Sequence, residues 1–287
     1  MANKILKVSS CYEDIFLNFH SDKVLEKTIK SDFMKKFIPN SEISETKVEG
    51  SPKIDIYYDE KFNLEGEYPS FTYYGDNYRD ILYLSQFMFE RKRQETGKYG
   101  IHSSCAEDDS GAVVLFGWKD SGKTSVAIHL AKEYGFLFSS ESRTIIDRDL
   151  NVVGRIKFLE EDNGFLKKKY NFGGDCLDIS KICNLSSDKK TPLDLMIYPQ
   201  ITGDSLIVRE WDNQKALYHM YELFSYGIRG VAKNINDYNC PLQSLDTIEL
   251  AKQRTEFVKD LVNKKKVIQI RGNIDDICKE IIRQKSI

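Results

Sequence analysis

Short apolar runs alternate with polar turns over the first hundred residues of the chain and again between residues 136 and 208. The runs include KILKV, IDIYY and SFTYY in the first region, and RTIID, DLMIY and SLIV in the second. Brief apolar runs bounded by turn residues are typical of β-strands. The pattern therefore predicts a protein rich in strands.

Helical spacing interrupts this alternation at a few places. Between Asp80 and Glu95 the apolar residues Ile81, Leu84 and Phe87 recur at intervals of three, which predicts an amphipathic helix packed on a core. Further elements are predicted as helices over Asn213–Phe224, Ser244–Asn263 and Asp275–Gln284, with a strand at Val267–Arg271. The turn AEDDSG predicts a hairpin. Because the order lacks the regular βαβ alternation of a doubly wound sheet, we expect a strand-heavy α/β core.

Composition and charge narrow the class of protein. The 287 residues are 41% hydrophobic and 30% charged, as in ordinary globular proteins. A net charge of -2 provides no general attraction for a nucleic-acid backbone, so we expect no nucleic-acid partner. No run reaches the roughly 18 apolar residues that a membrane span needs, and the start of the chain lacks a secretory signal. We therefore predict no membrane partner and a cytoplasmic location.

One motif carries chemistry: Gly117–Thr124, GWKDSGKT, matches G-x-x-x-x-G-K-[ST] in full, between the apolar run AVVLF and an amphipathic helix. Such a loop points backbone N–H groups at phosphates, and the helix N-terminus adds favourable partial charge. Gly122 allows close approach, Lys123 reaches the β and γ phosphates, and Thr124 places a hydroxyl at Mg²⁺. The predicted nucleotide-binding residues are Gly117, Trp118, Lys119, Asp120, Ser121, Gly122, Lys123, Thr124 and Ser125. Trp118 has two interpretations, stacking on a base or packing over the helix, and packing is favoured.

The segment IHSSCAEDDSGAVVLFGWKDSGKTSVAIHLAKEYGFLFSSESRTIIDRDLNVVG resembles the catalytic core of the HPr kinase family, which is related to phosphoenolpyruvate carboxykinases. The elements of this segment follow the order found in that family: a histidine-bearing strand, a hairpin, the P-loop, one helix and a strand that ends in an acidic residue. Fainter likeness in NFGGDCLDISKICNL, TPLDLMIYPQ and VIQIRGNIDDICKEII extends the resemblance over about residues 99–287. It implies a strand-rich, HPr-kinase-like P-loop core over residues 99–287. Residues 1–98 lie outside the resemblance; their pattern of apolar runs and one helix predicts a smaller mixed α+β region that would bind the acceptor or cap the site.

The resemblance also implies roles for acids in the second half of the chain. Where the family has two aspartates after the P-loop helix, this chain has Ser140-Glu141-Ser142, so Glu141 becomes the candidate general base and, with Thr124, the candidate Mg²⁺ ligand. The alternative is that Glu141 is a surface acid in a turn. The family's metal-binding glutamate aligns with Tyr170, which leaves Asp175 as the nearest acid.

Two further side chains are catalytic candidates. His102 stands where the family places a histidine near the transferred phosphate, where it would donate a hydrogen bond or assist proton transfer with a pKa near neutrality. A histidine satisfied in the core is the alternative. Arg229, in SYGIRG, is a candidate bidentate clamp for phosphate charge, against the alternative of a solvated loop arginine.

Together with Lys123, these residues predict a Mg-ATP-dependent kinase that transfers the γ-phosphate to a hydroxyl of a protein, a peptide or a small metabolite. A nucleotide-binding sensor or regulatory protein that has lost phosphotransfer is the alternative, because the aspartate pair is absent; an ATPase is another. The acceptor and the choice of ATP over GTP stay open. The family often assembles into oligomers, so a homo-oligomer is a further expectation of the resemblance.

Overall fold

The computed structural model describes residues 4–30, 34, 37–159, 177–230, 235–237 and 239–286. The chain divides into two compact units, each discontinuous in sequence. The first contains Met1–Gly97 and Ser225–Ala251, and the second contains Lys98–Phe224 and Lys252–Ile287. Among the described residues, no helix combines the length and the apolar character that crossing a membrane requires.

The first unit is built around one mixed sheet. Its strands are β1 (Lys4–Ser10), β2 (Glu13–Phe19), β3 (Glu42–Thr46), β4 (Lys53–Tyr57), β5 (Asn63–Glu67) and β6 (Ser70–Tyr74), and its helices include α1 (Asp22–Lys30) and α2 (Tyr78–Glu95). The spatial order is β3-β1-β2-β4-β6-β5. The β2–β4 and β4–β6 pairs are parallel, and the other neighbours are antiparallel.

Alternation along β4 shows why this sheet has one core face. Ile54 and Ile56 are fully buried, whereas Lys53 and Asp55, which alternate with them, are only partly buried. Successive side chains of a strand point to opposite faces, so both isoleucines face the same side of the sheet. They share a core with Phe87 and other apolar residues of α2.

The segment Ser225–Ala251 completes the first unit. Ile235 belongs to the same core, and the backbone N–H of Asn236 donates to Asp80 Oδ1 at 3.1 Å. Arg91 Nη1 donates to the carbonyl of Leu245 at 2.8 Å. The expected division at residues 98/99 places this segment with the second region. Contacts between residues this far apart in sequence leave no periodic pattern from which to predict them.

The second unit is larger and richer in strands. Its strands are β7 (Lys98–Ile101), β8 (Ser103–Asp108), β9 (Gly111–Phe116), β10 (Leu137–Ser140), β11 (Thr144–Asp147), β12 (Asn151–Gly154), β13 (Phe158–Leu159), β14 (Leu177–Asp178), β15 (Thr191–Ile201), β16 (Ile207–Glu210) and β17 (Val267–Gly272). Its helices are α3 (Lys123–Glu133), α4 (Asn213–Ser225), α5 (Ile248–Lys264) and α6 (Ile274–Lys285), of which α4 and α5 each continue at one end into the segment assigned to the first unit.

Nine of these strands form one sheet, in the order β10-β8-β9-β15-β12-β11-β7, with β17 also pairing with β15 and β16 with β17. The three strands β9, β15 and β17 are parallel, whereas β8 and β16 run antiparallel to their neighbours. The carboxyl ends of β9, β15 and β17 therefore meet at one edge of the sheet. Ligands of α/β sheets bind outside this kind of edge.

Helices cover both faces of this parallel centre. Val113 and Leu115 of β9 face a core that includes α3 and α6, whereas Val114 and Phe116 face a core that includes α4 and α5. A strand covered on both sides needs apolar residues at every position, which accounts for the continuous run AVVLF.

The structure confirms a mixed α/β protein and the predicted helices, with α5 beginning at Ile248 rather than Ser244. The predicted hairpin is also confirmed, since β8 and β9 pair across the turn at Asp109 and Ser110. Asp108 Oδ1 accepts from the N–H of Ser110 at 2.9 Å, and the same carboxylate pairs with Lys285. Asp108 therefore helps to hold the turn together.

Candidate functional site

The loop between β9 and α3 turns sharply through three residues with positive φ. They are Gly117 at φ 134°, Asp120 at φ 64° and Gly122 at φ 97°. Gly122 is the N-cap of α3, and no side chain caps the helix there. The first turn of α3 thus presents backbone N–H groups without a capping side chain, as an anion-binding helix N-terminus requires.

Gly117 and Gly122 also lie so close to the neighbouring strand that a Cβ at either position would clash with its side chains. A Cβ on Gly117 would overlap the ring of Tyr198, and a Cβ on Gly122 would lie 2.6 Å from Ile201 Cδ1. Both obstructing side chains belong to β15, the strand beside β9. The loop is therefore pressed against the carboxyl end of the neighbouring strand, and a Cβ at either position would force the side chain on β15 to move.

Lys123 folds back over its own loop. Its ammonium donates to the carbonyls of Gly117 at 3.0 Å and Trp118 at 2.8 Å, and the residue is buried. Burial lowers the pKa of Lys123, and the negative charges of Glu141 and Asp120 oppose this shift. An ammonium has three donors, so one remains for a ligand while two hold the ends of the loop together.

Thr124 and Glu141 meet at the start of α3. Thr124 Oγ1 donates to Glu141 Oε1 at 3.3 Å, and Ser104 Oγ of β8 lies 3.1 Å from Thr124 Oγ1. Glu141 is only 8% exposed and immediately follows the edge strand β10. The interpretation of Glu141 as a surface acid is therefore wrong, because the pairing of β8 with β10 carries it beside the loop helix.

Ser142 contacts two of the catalytic candidates, Glu141 and His102. Its hydroxyl donates to Glu141 Oε2, and its carbonyl lies 2.9 Å from His102 Nδ1. Ser142 adopts φ 62°, a left-handed conformation that is unusual outside glycine. Such conformations persist where the surroundings fix them, and they cluster at functional sites.

The contact with Ser142 also sets the tautomer of His102. A carbonyl only accepts, so Nδ1 carries the proton and Nε2 of the neutral ring is an acceptor. His102 is an exposed residue, yet the surrounding protein atoms, and then the positive charges of Lys123 and Arg143, lower its pKa to about 4. The expected near-neutral pKa and the core-histidine alternative are both wrong. The geometry favours a neutral ring that accepts at Nε2 over one that donates to phosphate.

The outer part of the loop is open to solvent. Lys119 and Asp120 are exposed, and Trp118 is 78% exposed, so the expectation that Trp118 packs over the helix is wrong. The Ser121 hydroxyl is buried and has no hydrogen-bond partner among the described residues. Ser125 is half-buried in the first turn of α3.

Arg229, Tyr170 and Asp175 are the remaining candidates. Arg229 lies in the first unit, where its Nε is 4.0 Å from Asp246 Oδ2. Tyr170 and Asp175, which the resemblance places near the metal, lie outside the described residues.

Three residues at the site carried no signal strong enough to predict them: Ser104, Ser142 and Arg143. Serines are common in strands and turns, and nothing local distinguishes those that reach a neighbouring element. Ser104 touches Thr124 only because β8 lies beside the P-loop strand β9. The hairpin was predictable from its turn residues, but the contact of Ser104 with Thr124 of α3 was not.

A magnesium ion would suit the oxygens at this site. Within the described part of the chain, no three His, Cys, Asp or Glu side chains cluster as metal ligands. Mg²⁺ commonly takes one or two protein oxygens and completes its shell with water and substrate phosphates. The hydroxyl of Thr124 and the carboxylate of Glu141 fit that chemistry. No family model and no curated protein sequence matches this chain.

Proposed function

We propose that this protein is a Mg-ATP-dependent kinase that transfers the γ-phosphoryl group to a hydroxyl acceptor, as the family that it resembles does. The hydrogen bond from Thr124 Oγ1 to Glu141 Oε1 carries the proposal. It joins a complete phosphate-loop motif to a buried carboxylate, and both are needed in one site for phosphoryl transfer. The nearby His102 and Lys123 support the same assignment.

The chain's own residues would bind and orient the nucleotide. Backbone N–H groups at the start of α3 and the third donor of Lys123 would hold the phosphates. Thr124 and Glu141 would hold Mg²⁺, which when bound neutralises charge on the phosphate oxygens. The contact from Ser142 keeps the Glu141 carboxylate facing the loop helix.

The transfer itself exchanges one phosphorus–oxygen bond for another. The acceptor oxygen bonds to the γ-phosphorus while the bond from that phosphorus to the β–γ bridging oxygen breaks, and ADP leaves with the electron pair. The hydroxyl proton passes to the carboxylate of Glu141 and then to solvent.

Binding and transfer can be tested on separate variants. Calorimetry should show Lys123→Ala binding ATP at least about ten-fold more weakly than the unaltered protein, because a charged phosphate contact is lost. Glu141→Gln should still bind ATP, while label transfer from [γ-³²P]ATP to acceptors in a cell extract falls by about 10² or more. Lys132→Ala removes an exposed lysine in the last turn of α3, away from the loop, and is the matched control for loss of a charge.

Each contrary result has a separate meaning. Unchanged ATP affinity in Lys123→Ala would contradict the assignment of the loop. Unchanged transfer in Glu141→Gln would remove Glu141 as the base. Phosphate release without a labelled acceptor would indicate an ATPase, and tight binding without turnover would indicate a nucleotide sensor.

A further inference from the structure

Aromatic and amide side chains form a continuous row beside the loop, in the second unit. We call the row the aromatic–amide row, and its members are Tyr198, Gln200, Trp211, His219 and Gln269. Tyr198 and Gln200 lie on β15, Gln269 lies on β17, and His219 lies on α4. In register, Tyr198 stands directly opposite Gln269 on the parallel neighbouring strand.

The row begins at the loop and extends away from it. The ring of Tyr198 occupies the space where a Cβ of Gly117 would lie. From there the ring centroids of Tyr198 and Trp211 are 5.7 Å apart, and those of Trp211 and His219 are 4.9 Å apart. Lys215 Nζ lies 4.5 Å from the centre of the Trp211 ring.

Amide side chains run alongside these rings. Trp211 Nε1 donates to Gln269 Oε1 at 3.4 Å, and Gln269 Nε2 donates to Gln200 Oε1 at 2.9 Å. This chain of hydrogen bonds fixes the amide orientation of Gln269, whose oxygen must accept and whose nitrogen must donate. It leaves the Nε2 group of Gln200 at the end of the chain as a donor.

Several polar groups of the row make no hydrogen bond to the described part of the protein. Among the described residues, the Tyr198 hydroxyl, the ring nitrogens of His219 and the Gln200 Nε2 group have no hydrogen-bond partner. All five members of the row are only partly buried. Tyr198 and Trp211 pack against the core that contains Phe116, but unlike Phe116, which is 1% exposed, both rings stay partly accessible. Half-exposed rings with unpaired polar groups are typical of a ligand surface rather than of a core.

We infer that the aromatic–amide row binds the base of the nucleoside triphosphate, an inference that rests on the proposed function. The loop would hold the phosphates at one end of the ligand, and the base is at the other end. Ring faces favour a flat heterocycle, and the amide and phenol groups offer hydrogen bonds to its edge. A row that starts at Gly117 provides both beside the loop.

The experiment compares ATP with inorganic tripolyphosphate, which has the phosphates but no base, both in the presence of Mg²⁺. Affinities are measured by calorimetry for the unaltered protein, Trp211→Leu, His219→Ala and Gln200→Ala. Leu137→Ala removes a partly exposed apolar side chain at the opposite edge of the same sheet and is the matched control. Trp118→Ala tests the rival stacking residue in the loop.

We expect Trp211→Leu to weaken ATP binding by about ten-fold or more, from loss of base stacking, and to leave tripolyphosphate binding unchanged. Unchanged tripolyphosphate binding also shows that the variant is folded. His219→Ala and Gln200→Ala should weaken ATP binding by smaller factors. Leu137→Ala should bind both ligands as the unaltered protein does.

Other outcomes overturn the inference. Equal affinity of the unaltered protein for ATP and tripolyphosphate would show that no base site exists, while the loop assignment would stand. Loss of base-dependent affinity in Trp118→Ala but not in the row variants would move the base to the outer loop. Failure of the unaltered protein to bind either ligand would contradict the proposed function itself.

Discussion

Ser142 connects two of the side chains that the sequence singles out for catalysis, Glu141 and His102. Its hydroxyl orients the carboxylate and its carbonyl orients the ring, while its own backbone sits at φ 62°. Left-handed backbone costs a residue other than glycine about 1–2 kcal/mol. The hydroxyl of Ser142 is therefore expected to affect catalysis, whereas its left-handed backbone lowers the stability of the protein.

Two substitutions separate these effects. We expect Ser142→Ala and Ser142→Gly to lower kcat by about ten-fold each, because both remove the hydroxyl that holds Glu141. Ser142→Gly should be more stable than Ser142→Ala by about 1 kcal/mol, because only alanine keeps the backbone strain. Steady-state kinetics and urea unfolding measure the two quantities. Unaltered kcat in both variants would show that the hydroxyl does not position the carboxylate.

His102 predicts a dependence of stability on pH. Its pKa in the folded chain is lowered from 6.5 to about 4, so between these values the unfolded chain binds a proton that the folded chain does not. This histidine therefore favours unfolding increasingly as the pH falls from about 6.5 to about 4. The contribution is fully relieved at neutral pH.

The test compares how much stability the unaltered protein and a variant without His102 lose when the pH is lowered. Urea midpoints of the unaltered protein and of His102→Asn are measured at pH 7.5 and pH 5.0, on the acid side of the ordinary histidine pKa of about 6.5. The unaltered protein should lose more stability between the two values than the variant does. Equal losses would mean that His102 titrates at the same pH in the folded and unfolded chains.

At the scale of elements, the loop, β9 and β15 pack closely together. The loop after β9 rests against Tyr198 and Ile201 at the carboxyl end of β15, and positive φ angles let it pass there. The motif glycines therefore serve close packing between neighbouring elements, and in the proposed function they would also allow phosphate to approach.

A rescue experiment tests this view. Gly122→Ala should destabilise the protein by about 1–3 kcal/mol, through overpacking on Ile201 and an unfavourable φ. Adding Ile201→Ala should restore part of that loss, because it removes the obstructing atoms at a side chain that is 41% exposed. Thermal unfolding of the single and double variants measures the recovery. No recovery would assign the whole cost to the backbone angle.

At the scale of the molecule, the first unit needs a segment from late in the sequence. Ile235 contributes to its core, the N–H of Asn236 donates to the buried Asp80, and the carbonyl of Leu245 accepts from Arg91. Residues 1–97 by themselves lack all three contributions.

A fragment of residues 1–97 is therefore expected to lack a cooperative unfolding transition and to expose apolar surface. Thermal unfolding followed by near-ultraviolet circular dichroism and dye binding are the measurements, and the full chain is the control. A sharp transition in the fragment would show that Ser225–Ala251 is dispensable for the first unit.

The sequence by itself determined the features that depend on local pattern. Apolar spacing predicted α2, turn chemistry predicted the β8–β9 hairpin, and the motif at Gly117–Thr124 predicted a turn followed by a helix. Each of these is set by residues within a few positions of one another, so its physical cause can be read along the chain.

Only the tertiary structure decided which distant side chains meet. Pairing of β8 with β10 brings Glu141 to Thr124, and parallel pairing of β15 with β9 puts Tyr198 beneath Gly117. It also assigned Ser225–Ala251 to the first unit. Strand order and the packing of remote segments depend on the free energy of the whole core, for which no single stretch of sequence carries a pattern.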